Sequence, residues 1–158
     1  MKVQTKSYTL EEAKRNLERY CAYQERCHQE VIQKLKSMGM ISEVIDVVTV
    51  HLIEHNFLNE ERFARNYTRG KFKIKNWGRI RIKSELKKRN IGDRIINLAL
   101  TEITEEDYLR KLEEISKKKL LGLSEYNKLV RKKKLQNFLV YRGWENDLVY
   151  SSINKLLG

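Results

Sequence analysis

Three segments of this chain can be laid over one another, and that repeat constrains the fold more than any other feature. "TLEEAKRNL" from Thr9, "NEERFARNY" from Asn59 and "TEEDYLRKL" from Thr104 each open with a residue suited to cap a helix. Each then places acidic side chains in the first turn, where they favour the positive end of the helix dipole. Thr9 with Glu12 has the spacing of a capping box. Ala13, Phe63 and Tyr108 share one position, and Leu17, Tyr67 and Leu112 follow four residues on, so each segment has one apolar face.

A second trio, "VIQKLKSMGM", "IKSELKKRNI" and "LQNFLVYRGW", superposes without a gap. Val31, Ile82 and Leu135 precede Leu35, Leu86 and Leu139 by four residues. Gly39, Asn90 and Gly143 then share a position, and these residue types tolerate the left-handed conformation that ends helices. Met40, Ile91 and Trp144 come next and are expected to pack back on the helix just ended. A third helix follows in each unit, carrying Val44 and Val48, Ile95 and Ala99, or Leu148 and Ile153. The expected fold is therefore all-α: three tandem three-helix repeats in an elongated, curved helical array. The expected units are residues 1–57, 58–103 and 104–158. Proline is absent, and Lys, Glu, Leu and Arg abound, which favours long helices over a turn-rich β fold.

The net charge of +12 is concentrated in the middle unit. Residues 1–57 hold eight basic and eight acidic side chains, residues 58–103 hold 13 and five, and residues 104–158 hold 12 and eight. From Arg62 to Arg94 only Glu85 and Asp93 are acidic. Arg62, Arg65 and Arg69 recur at helical spacing, and Arg79, Lys83 and Lys87 form a stripe of like charge along the next helix. Like charges so placed oppose helix formation by a few tenths of a kcal/mol each, so a neutralising partner is expected. Phosphates or an acidic protein groove would serve. The candidate face comprises Arg65, Arg69, Lys71, Lys73, Arg79, Arg81 and Lys83. Phe63 and Tyr67 read as core, and Phe72 and Trp77 as packing between helices or, less simply, as stacking platforms. The alternation in "KFKIK" would suit a strand, but no second strand exists to pair with it.

Other function classes find little support. "HLIEH" fits the His-x-x-Glu-His pattern of a zinc protease, with His51 and His55 one turn apart. A third ligand and a cleft from a much larger chain are wanting, and "NFLNEERF" reads as a joint in which Phe57 or Leu58 staples against Phe63. No Gly-rich phosphate loop, carboxylate pair or Cys–His pair has useful spacing, so no enzyme, metal or cofactor is expected. Cys21 and Cys27 form no redox or metal motif. With no apolar leader and no apolar run of membrane length, a cytoplasmic monomer is expected.

The central stretch "FLNEERFARNYTRGKFKIKNWGRIRIKSELKKRNI" resembles the signature of the RecX regulatory proteins, through Arg62, Phe63, Ala64, Tyr67, Arg69, Gly78, Arg79, Ile80, Glu85, Leu86 and Ile91. "CAYQERCHQEVIQKL" is similar to that family's opening motif through Glu25, Arg26, Glu30 and Leu35, and "FLVYRGW" to its ending through Leu139, Arg142, Gly143 and Trp144. Asn59 replaces the usual Asp and Asn90 the usual Gly, and Lys75–Asn76–Trp77 is bulkier than in many members. The resemblance implies tandem three-helix repeats without catalytic activity that bind the RecA recombinase, chiefly as its filament on DNA. Binding lodges them in the filament groove and inhibits ATP hydrolysis and strand exchange, and some members contact DNA, single- or double-stranded. The competing expectations are an autonomous basic nucleic-acid-binding helical protein and a scaffold whose charge is incidental.

Overall fold

The computed structural model describes residues 7–158, which form nine α-helices and, among the described residues, no strand. These are α1 Leu10–Tyr23, α2 His28–Ser37, α3 Ser42–Glu54, α4 Glu60–Lys75, α5 Arg79–Lys88, α6 Asp93–Leu100, α7 Glu105–Leu121, α8 Lys128–Tyr141 and α9 Asn146–Leu157. Extensive helix–helix packing stays within the triplets α1–α3, α4–α6 and α7–α9. No helix of the first triplet packs extensively on any helix of the third, so the triplets follow one another in a row.

The local signals act at each helix end. Thr9, Asn59 and Thr104 accept from the backbone N–H three residues on, at 3.1, 2.9 and 3.1 Å. Thr9 completes its capping box with Glu12. Gly39, Asn90 and Gly143 adopt φ of 77°, 61° and 87°. The next residue in each case donates back across the turn: Met40 to Leu35, Ile91 to Leu86 and Trp144 to Leu139, at 3.1–3.2 Å. That is the six-to-one bond of a Schellman end, made three times. Basic "KFKIK" continues α4, which ends at left-handed Asn76 with φ 59°. Lys73 and Lys75 thus sit in the last turn, where the helix dipole favours cations.

The shared apolar positions of the second helices, Val31, Ile82, Leu135, Leu35, Leu86 and Leu139, are all fully buried. In the third helices the expected Val48, Ala99 and Ile153 are buried, whereas beside the expected Val44, Ile95 and Leu148, which pack on the core half-buried, the next residue, Ile45, Ile96 or Val149, is the buried one. Two cores result. One belongs to the first triplet and includes Leu58, with Phe57 packed against it. The other runs continuously through the second and third triplets and takes in Phe63 and, from the first triplet, Cys27. The expected staple is therefore not made, because Leu58 and Phe57 close one core while Phe63 opens the next.

Candidate partner interface

The second joint, between α4–α6 and α7–α9, is built by close backbone approach. Gly78 N–H donates to Arg142 O at 2.8 Å, and Ile80 N–H to Gly143 O at 3.0 Å. The first turn of α5 thereby meets the carbonyls ending α8, so orphan donors and acceptors satisfy one another. A Cβ on Gly78 would lie 2.5 Å from Gly143 O, and one on Gly143 would lie 2.3 Å from Arg81 Cβ. Trp144 fills the seam: its indole N–H donates to Asn76 O at 3.0 Å, and its ring stacks on Tyr108 at 4.4 Å. Tyr108 donates its hydroxyl proton to Glu145 and accepts from Arg79 N–H at 2.9 Å. Burial, then the bond to Glu145, pushes the Tyr108 phenol far above its usual range.

The seven candidate cations separate into two groups. Arg65 and Arg69 share Glu102 at 3.0 and 3.2 Å. Hydrogen bonding from Arg65, and then from Arg69, holds the Glu102 carboxyl below its ordinary value despite some desolvation. Arg79 spans the second joint, pairing with Glu145 at 2.9 Å and with Glu105, while its guanidinium lies 3.7 Å over the Tyr108 ring. These three arginines are internal struts. Lys87, from the like-charged stripe, pairs with Asp93 at 3.5 Å, so the stripe is partly neutralised within the chain. Lys71, Lys73, Arg81 and Lys83 form no ion pair among the described residues. Lys83 lies on the outer face of α5 with Ile80, Ser84, Lys87 and Lys88.

Arg81 and Lys71 belong to a run that sequence reading missed. Arg81 lies 4.9 Å over Tyr141 and 4.2 Å over Trp77. Lys71 lies 5.0 Å over Trp77 and 5.3 Å over Tyr67, and Arg89 lies 4.9 Å over Tyr67. Cations and rings thus alternate from the third triplet across the second to its border with the first. The signal was latent in Trp77 and Tyr141, whose partners are distant in sequence.

The first joint is polar. Arg62 donates to Glu25 at 2.7 Å and to the carbonyls of Asn56 and Phe57 at 3.1 and 3.2 Å, and His28 approaches Glu60 at 3.2 Å. His51 instead lies inside the first triplet, 2.9 Å from Glu18, with the His55 ring 4.3 Å away. Among the described residues no group of three His, Cys, Asp or Glu side chains is placed to hold a metal. Cys21 and Cys27 are both buried, and burial pushes each thiol up to about 11.

The family models for the second and third three-helix domains of RecX match residues 59–100 and 105–153. A "Regulatory protein RecX" of Prosthecochloris aestuarii is 31% identical over 140 residues, covering 87% of this chain and 89% of the relative. The chain belongs to the RecX family. A Bacillus cereus RecX is 27% identical over 137 residues, and the chain spans about half of its length, 51%. The crystal structure of RecX from Lactobacillus salivarius shares the fold, with a TM-score of 0.81, 24% identity and coverage of 93% of this chain and 96% of that one. A second structure of a regulatory protein RecX gives 0.83 at 23% identity, covering 92% of this chain and 73% of its own. The RecX relatives are named for regulation, and the present chain is a regulator of that family with an all-helical repeat fold. Among its described residues no helix is long and apolar enough to cross a membrane.

Proposed function

We propose that this chain binds the RecA recombinase in its filament on DNA and inhibits its ATP hydrolysis and strand exchange. It does so as a non-catalytic cytoplasmic monomer. The observation that carries the reading is membership of the RecX family through the second and third triplets, the two that bear the cationic run. Three triplets in a row suit a long groove, and a protein groove lined with carboxylates complements cations that have no ion-pair partner among the described residues. Within the candidate face, Lys71, Lys73, Arg81 and Lys83 are the contacts, while Arg65, Arg69 and Arg79 hold the frame.

The deciding assay is DNA-stimulated ATP hydrolysis by RecA from the same source, with purified protein added. Inhibition is the expected result. No effect at excess protein overturns the reading. Reversing Lys73 and Lys83 together to Glu abolishes inhibition while the helical circular dichroism is kept. Retained inhibition would place the contact face elsewhere.

A further inference from the structure

The two joints are built on equivalent positions, and their difference makes one of them movable. Aligned by their second helices, Cys27 stands where the next repeat has Gly78, and His28 where it has Arg79. Asn90 stands where the third repeat has Gly143. At the second joint both glycines are needed, because a Cβ at either would press within 2.5 Å of the opposing chain. The first joint has a Cβ at both places. There Cys27 N–H turns to Glu30 at 3.2 Å instead of crossing the joint. Among the described residues no backbone hydrogen bond links the first triplet to the second. The cores differ in the same way. One core runs unbroken through the second joint, whereas two cores meet at the first, where Cys27 is the first triplet's contribution to the second core.

Leu58 belongs to the first core, and the next residue, Asn59, already caps α4. The chain therefore passes from one body to the other within a single peptide link. Beside it a cleft of about 550 Å³ stands open, with Gln24, Gln29 and Gln33 on one wall and Tyr67 and Lys71 on the other. At the second joint Trp144 fills the seam instead. What spans the first joint is the first turn of α4. Glu60 meets His28 at 3.2 Å, and Arg62 meets Glu25 at 2.7 Å. Arg62 also donates to Asn56 Oδ1 and to the carbonyls of Asn56 and Phe57, at 3.1, 3.1 and 3.2 Å. Its planar fork thus grips two loops of the first triplet at once, one after α1 and one after α3. The aligned position in the third repeat is Asp107, so the second joint has no clamp from that side.

We propose that the first joint is a latched hinge: α1–α3 pivot as one body about the Leu58–Asn59 link against α4–α9, and Arg62 is the latch. Latched, the guanidinium holds the loop that carries Glu25 against the start of α4. Released, the first triplet swings across the open cleft, because no backbone bond and no continuous core resists it. The row of triplets then bends at one place, while the second and third triplets move together. This inference does not rest on the recombinase reading, and its test contains no recombinase.

Distance distributions between spin labels, measured by double electron–electron resonance, test it. Labels on Lys36→Cys and Ser84→Cys span the first joint, and labels on Ser84→Cys and Ser151→Cys span the second; all three sites are exposed. Cys21 and Cys27 are buried and stay unlabelled in the folded chain. Glutamine suits the third helical position after a cap, so Arg62→Gln leaves the start of α4 intact. It broadens the first-joint distribution about twofold and leaves the second as in wild type. Glu25→Gln keeps an acceptor for Arg62 but loses the charge, and broadens the first pair alone by less. With Arg62→Gln folded, an unchanged first pair overturns the proposal. If circular dichroism shows that variant unfolded, Glu25→Gln decides in the same way. Equal broadening of both pairs overturns it too, because the two joints would then be alike.

Discussion

Replacing Gly78 by alanine tests the second joint directly. Gly78 has φ −82°, which any residue adopts, so the substitution brings no backbone strain. Its cost comes from space alone. The new Cβ would sit 2.5 Å from Gly143 O, where ordinary contact begins at 3.4 Å, so the end of α8 must retreat by about 0.9 Å. Among the hydrogen bonds across this joint, three lie directly at the α5–α8 seam, from Gly78, Ile80 and the Trp144 indole, at 2.8, 3.0 and 3.0 Å. A retreat of that size carries each beyond bonding range. At roughly 0.5–1.5 kcal/mol apiece the loss is about 2–4 kcal/mol. The less flexible unfolded chain offsets about 0.4–1 kcal/mol. The net destabilisation of about 1–3 kcal/mol lowers the melting temperature by about 3–10 °C in a chain of this length. Gly70→Ala is the internal control. It lies within α4, and its Cβ would meet nothing within 4 Å, so it gains about 0.5–1 kcal/mol. Thermal and urea unfolding followed by circular dichroism read both variants. If Gly78→Ala melts at or above wild type, as Gly70→Ala should, the close-packed second joint is refuted.

Trp144→Phe removes the donor to Asn76 O and part of a side chain that is 1% exposed, and should cost about 2–4 kcal/mol in urea unfolding. The Glu102 carboxyl is held below its ordinary 4.5 first by Arg65, so its stabilisation is present above that pH and is lost as pH falls through the folded value. The urea midpoint should therefore fall more steeply below about pH 4.5 in wild type than in Glu102→Gln. Both thiols, pushed up to about 11 from 9.0 by burial, should react with a disulfide reagent at pH 8 about a hundredfold more slowly than an ordinary cysteine until the chain unfolds.

The fold was largely legible because its signals are local. A cap such as Thr104 and a terminator such as Asn90 act through their own backbone within four residues, and the apolar stripes through helical period. In the third helices Val48, Ala99 and Ile153 were read correctly, while Val44, Ile95 and Leu148 were one position off because they neighbour equally apolar residues and only packing selects between them. The charge pattern was legible as concentration but not as direction. Arg79 looked like an unneutralised end of a stripe, yet its partners Glu105 and Glu145 lie 26 and 66 residues away. Spacing within one helix carries no trace of such pairs. The cleft at the first joint was hidden for the same reason, since it depends on comparing Cys27 and Asn90 with the glycines of the neighbouring joint.

The division of the core has a consequence for synthesis. Leu58 completes the first core, so α1–α3 hold everything they need once that residue has left the ribosome. The second triplet does not, because its core continues through Tyr108, Leu139 and Trp144. At roughly 5–20 residues per second, the 86 residues from Leu58 to Trp144 take on the order of 4–17 s to emerge. During that interval the most cationic segment of the nascent chain waits with Phe72, whose ring meets Tyr108 and Trp144 in the finished fold, uncovered, which makes it a stretch exposed to chaperones.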